Sequence, residues 1–258
     1  MAWYSKYLSI YGKNFNEVSN DIISETRERL AALQSEKPLA SIVVIAYNEE
    51  QHLQACLWAL SEIKCKYPVE IIGVDNDSKD RTAEIFEASG IPYYTEYQHS
   101  CGYARRCGLQ HSKGKYYFDI DSDTIYPPHY FDIMLEELLK PDVSCVSSLW
   151  SYFPDENHSW IGLKLFETCR DLFLYIQHFK RPELSVRGLV FAYNADYARQ
   201  EEYRVDIIRG EDGSMALCLK KYGRIAFIYN RKARAITGYG TLSSDSLFKS
   251  FIKRIKIQ

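Results

Sequence analysis

Two short acidic clusters hold the residue types best suited to chemistry. Asp121-Ser122-Asp123 follows directly on a largely apolar, aromatic run, KYYFDI over residues 115–120. Two carboxylates at i and i+2 can reach one divalent cation when the chain turns between them, and hard oxygen ligands suit Mg²⁺ or Mn²⁺. Such an ion typically neutralises a diphosphate and stabilises it as a leaving group. A solvated turn has the same signature; the position directly after a strand raises this one above it. Asp119-Ile120-Asp121 repeats the spacing, but in an extended strand both of its acids precede the turn. The second cluster, Glu211-Asp212 after Gly210, opens a segment read as a helix. The helix dipole alone favours acids there. At the mouth of a site, one of them is a general base for an attacking hydroxyl.

Two further polar clusters close apolar runs. Tyr47-Asn48-Glu49-Glu50 follows SIVVIA (41–46), and Asp75-Asn76-Asp77-Ser78 follows VEIIGV (69–74). Neither GxGxxG nor GxxxxGK[ST] occurs after the first run, which argues against dinucleotide oxidoreductases and P-loop enzymes. A nucleotide would instead be held by side chains, through stacking on Tyr47 and hydrogen bonds to Asp75. Gly102-Tyr103-Ala104-Arg105-Arg106-Cys107-Gly108 opens a helix with two arginines. They suit base or phosphate contact, and equally a solvated helix face. Gly108 permits close helix packing.

The elements that must position these residues alternate in type. Strands are expected at 41–46, 69–74, 92–97 and 115–120, with helices at 49–60, 80–88 and 103–111 between them. Ser78 or Asp80 can cap the second helix. Such alternation implies a parallel α/β sheet, with ligands outside the carboxyl ends of its strands. Beyond Asp123 it loosens into a helix at 130–139, a strand at 143–149, a well-buried helix at 159–179, a strand at 188–193, a helix at 211–221 and a strand at 224–229. Residues 1–39 read as an N-terminal helical extension ending in a short linker at 34–38. Residues 40–123 and 124–235 form two halves of one domain. The segment 236–258 is a basic amphipathic tail, with Leu247, Phe248, Phe251, Ile252 and Ile255 on one helical face.

Composition bounds the class. Of 258 residues, 46% are hydrophobic and 26% charged, as in an ordinary folded domain. No apolar run approaches the ~18–20 residues that a bilayer span needs. Net charge is −2, but residues 231–258 carry seven basic side chains and one acid, leaving a body at −8 and an end at +6. A mildly acidic body is not a nucleic-acid-binding profile. The basic amphipathic end suits an anionic membrane surface as well as docking on the body. Seven cysteines without a CxxC pair suggest reduced thiols in the cytoplasm, not a disulfide framework or zinc site. The N-terminus lacks the apolar core of a secretory signal.

Taken in order, SIVVIAYNEE, IIGVDNDSKDRT (71–82), the 102–108 stretch, Asp121-Ser122-Asp123 and GEDGSMALCLKKYG (210–223) resemble an inverting glycosyltransferase of family 2 with the GT-A fold. The resemblance covers about residues 40–235. It implies a GT-A-type, Rossmann-like, mostly parallel sheet flanked by helices. It implies that Ala46, Tyr47 and Glu49 line a nucleotide-sugar pocket, that Asp75 contacts the base, and that Arg105 contacts base or ribose. Asp121 and Ser122 would face the donor, Asp121 and Asp123 would hold Mn²⁺ or Mg²⁺, and Asp212 would be the catalytic base with Glu211 beside it. Arg106 stands where the family usually has Asn, and Ala46 where many members have Pro or a small polar residue. The implied partners are a nucleoside-diphosphate sugar, with UDP first and GDP-mannose second, and a glycan or lipid-linked acceptor. Trp150, Tyr152, Phe153 and Trp160 could stack on acceptor sugars, although core packing explains such aromatics equally well.

Two rivals stay open on the residues alone. Asp119-Ile120-Asp121-Ser122-Asp123 also resembles the loop of haloacid-dehalogenase-type phosphohydrolases, whose first Asp is a nucleophile. That loop follows a first strand, whereas three strands precede it here, and the fifth position lacks Thr or Val. A non-catalytic sugar-nucleotide binder is the other, although such a protein has no need of Asp212 as a base.

Overall fold

The structure is a computed structural model that describes residues 2–154, 159–207 and 210–238. Along these residues the chain forms α1 (Asn20–Leu33), β1 (Ala40–Ala46), α2 (Leu53–Ser61), β2 (Val69–Asp75), α3 (Thr82–Ser89), β3 (Tyr93–Thr95), α4 (Cys101–His111) and β4 (Tyr116–Asp121). There follow β5 (Thr124–Ile125), α5 (Tyr130–Leu138), β6 (Val143–Ser148), β7 (Trp150–Tyr152), α6 (Trp160–Lys180), β8 (Phe191–Asn194), α7 (Ala195–Ala198), α8 (Glu211–Leu219), β9 (Arg224–Ile228) and β10 (Ala235–Thr237).

Seven strands form the central sheet in the order β3-β2-β1-β4-β8-β6-β9. It is mostly parallel, with β8 running antiparallel to both β4 and β6. Every residue of β1 is buried, as its unbroken apolar run requires of a strand covered on both faces. Its side chains alternate between two cores. Ile42, Val44 and Ala46 share one core with Leu53 and Leu57 of α2 and Ile85 and Phe86 of α3; Val43 and Ile45 share the other with Ala104 and Cys107 of α4 and Met215, Ala216 and Leu219 of α8. Each such aliphatic side chain contributes roughly 1.5–3 kcal/mol on burial. Helix α4 lies close against the sheet: a Cβ on Gly108 would stand 2.5 Å from Val43 Cγ1 and 2.6 Å from the Tyr117 hydroxyl.

Strand register sets the site. Ala46 pairs with Asp75 and Ile45 with Asp121, so β1, β2 and β4 end level and release their polar tails along one edge. Because β8 runs the other way, pairing Phe191 with Asp119, the turn that precedes it (Gly188–Val190) arrives at the same edge. A second sheet, β5-β10-β7, holds the chain that follows Asp123. The hydroxyls of Tyr11 and Thr237 donate to the Asp123 carbonyl at 2.9 and 3.4 Å. The N-terminal segment packs on the body, with Tyr7, Ile10 and Val18 against Trp58, Ile125, Phe153 and Ile236.

The structure departs from the sequence reading in several places; among them, the helix expected from 49 begins at Leu53 and the strand expected at 92–97 is cut to Tyr93–Thr95. The strand expected from 188 begins at Phe191, after a 3₁₀ turn. Helix α3 starts at Thr82, whose N–H and hydroxyl donate to Asp80 Oδ1 at 3.0 and 2.6 Å, so Asp80 holds its first turn. The larger correction concerns α6, which is not well buried. Leu163, Phe166 and Leu174 face the core, whereas Ile161, Leu165, Leu172, Ile176 and Phe179 are each more than half exposed. Its sequence is apolar nearly all round, but the body covers only one side. The amphipathic pattern at 247–255 lies outside the described residues.

Candidate active site

Arg105 is the hub of the site. It sits on α4 with a side chain 3% exposed and faces four carboxylates. Its Nε lies 2.8 Å from Asp212 Oδ1 and 3.9 Å from Glu211 Oε1; Nη2 lies 3.2 Å from Asp121 Oδ1, and Nη1 lies 3.7 Å from Asp119 Oδ1. One buried cation thus gathers the end of β4 and the start of α8, two segments far apart in sequence. The sequence reading sets Arg105 against base or ribose; the structure places its guanidinium among the acids. Several of these contacts are ionic without hydrogen-bond alignment. Arg105 Nε and Nη1, Asp119 Oδ1 and Asp212 Oδ1 have no aligned partner among the described residues, an arrangement that settled cores avoid.

Burial pushes the Asp212 carboxyl up to about 6; Arg105 and the Gly188 N–H pull it down, while Glu211 and Asp121 add to the rise. A carboxylate poised there is largely ionised at neutral pH and still able to take a proton. Burial drives Asp119 well above the usual carboxylate range, against the pull of Arg105. The Tyr203 hydroxyl donates to Asp119 Oδ2 at 3.1 Å and shares a 2.7 Å bond with the Tyr193 hydroxyl.

The other strand ends line the same edge. Tyr47 is 50% exposed, its ring 5.2 Å from that of His99. Ala46 is buried, its carbonyl accepting the Asn76 N–H at 2.8 Å. Asp75 is buried, with Oδ1 accepting the Ser78 N–H at 3.2 Å. Asn48 (φ 54°) and Asp77 (φ 58°) turn the chain sharply after β1 and β2. Glu49 Oε2 lies 2.7 Å from His52 Nδ1. That bond raises the pKa of His52 although burial opposes its charge. Ser122 is buried. Burial first, then Asp121 and Glu49, push Asp123 up to about 7, although Thr124 Oγ1 donates to it at 3.0 Å.

Residues 41–198 match the family described as Glycosyl transferase family 2. The chain belongs to that family. An uncharacterized glycosyltransferase of Rickettsia prowazekii is 32% identical over 107 residues, 41% of this chain and 33% of the relative, so the match spans about a third of that protein. Among solved structures, the mannosyltransferase PcManGT from Pyrobaculum calidifontis, in complex with GDP-Man and Mn²⁺, superposes with a TM-score of 0.62 at 16% identity, covering 92% of this chain and 72% of that one. Glucosyl-3-phosphoglycerate synthase from Mycobacterium tuberculosis, with Mn²⁺, UDP-glucose and phosphoglyceric acid, gives 0.55 at 20% identity, covering 92% and 84%. These likenesses show the GT-A fold.

Asp121 and Asp123 are the candidate ligands of this family 2 chain for a divalent cation. Asp123 forms no ion pair among the described residues, unlike Asp121, which Arg105 holds. No group of three or more His, Cys, Asp or Glu gathers to hold a metal among the described residues. Two carboxylates that share an ion with diphosphate oxygens and water are the usual arrangement for Mg²⁺.

Several partners escape a reading of motifs. Tyr126 accepts the Asp121 N–H at 3.3 Å and donates to the Leu189 carbonyl at 2.7 Å, which ties β4 to the turn before β8. Nothing local marks Tyr126, Tyr203 or Tyr11 for this. Gly188 is the most constrained: a Cβ there would lie 1.8 Å from Arg105 Nη2 and 2.7 Å from Asp212 Oδ2. Gly188→Ala is expected to lower the unfolding free energy by about 1–3 kcal/mol through overpacking. Urea denaturation measures this, and an unchanged midpoint would show that the turn can retreat.

Proposed function

We propose that the chain transfers a sugar from a nucleoside-diphosphate sugar to an acceptor hydroxyl, with inversion and with Mn²⁺ or Mg²⁺. The observation that carries this reading is the convergence of Asp212 and Asp121 on one guanidinium, at 2.8 and 3.2 Å, beside the ends of β1 and β2. Asp212 takes the proton of the acceptor hydroxyl at a carboxylate oxygen. The freed oxygen attacks the anomeric carbon on the side opposite the diphosphate, whose bond to that carbon breaks. Arg105 keeps Asp212 ionised and aimed, and Glu211 adds to the acidic field beside it. Asp121 and Asp123 would hold a divalent cation, which when bound would offset charge on the leaving diphosphate. Tyr47 stacks on the base, Asp75 accepts from a base N–H, and Ala46, Glu49 and Ser122 border the donor.

A UDP-sugar is our first choice of donor and GDP-mannose the second; solved relatives of the same fold hold each kind. The acceptor is a glycan or lipid-linked sugar lying against residues 124–235, and the basic end at 236–258 touches the membrane surface from the cytoplasmic side. All seven cysteines are free, which suits a reducing compartment. No helix among the described residues is long and apolar enough to cross a membrane. The phosphohydrolase alternative loses support, because the Asp119 side chain is fully buried beneath Arg105 and out of reach of a phosphate ester.

A thermal-shift panel of nucleotide sugars tests this reading. At least one UDP- or GDP-sugar is expected to raise Tm, and more so with Mn²⁺ than without. Asp123→Asn is expected to remove the Mn²⁺ increment. The parent chain should lose that increment as the pH falls below about 7, where Asp123 takes up a proton and no longer offers a charged ligand. No shift by any sugar nucleotide, with or without metal, would contradict the assignment.

A further inference from the structure

The transfer chemistry leaves one conspicuous surface unused, the outer face of α6. Ile161, Leu165, Leu172, Ile176 and Phe179 are 74%, 57%, 59%, 55% and 70% exposed. Their spacing keeps them on one side of the helix, over roughly 27 Å at ~1.5 Å per residue. Aromatic rings frame the stripe: Trp160 at its start, and at its end Tyr175, 5.0 Å from Phe179 and 5.2 Å from the exposed ring of Tyr229. The exposed Thr168 interrupts the stripe between Leu165 and Leu172, yet soluble monomers rarely expose this much apolar side chain on one helix face without a use for it.

Charge identifies what covers it. Lys164, Lys180, Arg181, Arg231 and Lys232 are exposed around the stripe; Lys164 lies 3.2 Å from Glu167 and Arg181 3.2 Å from Glu183, which leaves Lys180, Arg231 and Lys232 as the cations that set the charge of this face. The two acids of α6 are turned inward and occupied. Glu167 accepts from Ser151 and from the Tyr152 N–H, and Asp171 lies 2.8 Å from Arg170 and 2.5 Å from Arg234. The outer face of α6 is therefore apolar and cationic. A second copy docked by a twofold axis would bring these like charges together; anionic headgroups would neutralise them.

We propose that α6 lies in the plane of an anionic lipid bilayer, with its apolar stripe at the acyl boundary and Lys180, Arg231 and Lys232 against the headgroups. The inference stands on α6 and the basic residues beside it and does not depend on the transfer reading.

Flotation of the full chain with vesicles of phosphatidylcholine, alone or mixed with phosphatidylglycerol, tests it. The parent chain is expected to float with the anionic vesicles. The variant Leu172→Gln/Ile176→Gln/Phe179→Gln is expected to partition about tenfold more weakly or worse, because each substitution removes apolar surface available to the lipid. These side chains are exposed, so an unchanged unfolding midpoint confirms that the fold persists. Lys180→Glu/Lys232→Glu is expected to lose the preference for the anionic vesicles. Three results would overturn the proposal: no binding by the parent chain, equal binding by the apolar-stripe variant, or a lipid-free dimer that the same variant abolishes.

Discussion

Asp212→Asn is expected to lower kcat by about 10²–10⁴-fold while leaving nucleotide-sugar affinity near that of the parent chain. Asn has the shape of Asp and can still accept the Gly188 N–H, but it cannot take up a proton at neutral pH. Arg105 keeps three other carboxylates, so the cluster stays neutralised. The pH dependence supplies an independent reading. A base works ionised, and burial sets Asp212 at about 6. The parent kcat should therefore rise as pH increases through about 6 and be lost below it, whereas the residual rate of the variant should not follow that limb. Initial rates across pH measure both. A variant that keeps a near-normal rate, or the same acid limb, would assign the base elsewhere.

Arg105→Met is expected to destabilise the fold by about 3–5 kcal/mol near neutral pH, the usual consequence of removing one partner from a buried charge cluster. Asp119, Asp121, Glu211 and Asp212 would then face one another with no cation between them. Burial already makes Asp119 and Asp212 bind protons more readily in the folded chain than in the unfolded one. The deficit should therefore be largest at neutral pH and shrink as pH falls through the raised range of Asp119 and Asp212. Adding Asp119→Asn removes the most deeply buried of these acids and should recover part of the loss. Urea unfolding at neutral and mildly acid pH reads both effects. A deficit equal at the two pH values would point to lost packing instead of lost charge. Arg105→Lys is a poor substitute, since one ammonium cannot present the fork that faces four acids.

The parts of the fold written in local pattern were legible in the sequence. SIVVIA could only be a doubly covered strand, and the turn residues after each run marked where strands end. Level strand ends then follow from parallel pairing, so the shared edge of Tyr47, Asp75 and Asp121 could be expected. The role of Arg105 could not. A helix carrying Arg105-Arg106 does not say which guanidinium turns inward; that depends on α4 resting against Val43 and Tyr117 through Gly108. Gly188 was silent for a related reason, because its constraint comes from Arg105 and Asp212, remote in the chain. The burial of α6 was misjudged since an apolar period reports a helix, and its surroundings decide how many of its faces find cover.

The central claim is that the acids at 121, 123 and 212 surround a single sugar nucleotide. A crystal structure of the full chain with Mn²⁺ and the nucleotide sugar that stabilises it most would test this directly. The diphosphate should lie at Asp121 and Asp123 with the metal between, and the anomeric carbon should face the Asp212 carboxylate across a gap that an acceptor hydroxyl can enter. A donor bound away from the ends of β1, β2 and β4, or one whose anomeric carbon is turned from Asp212, would contradict it.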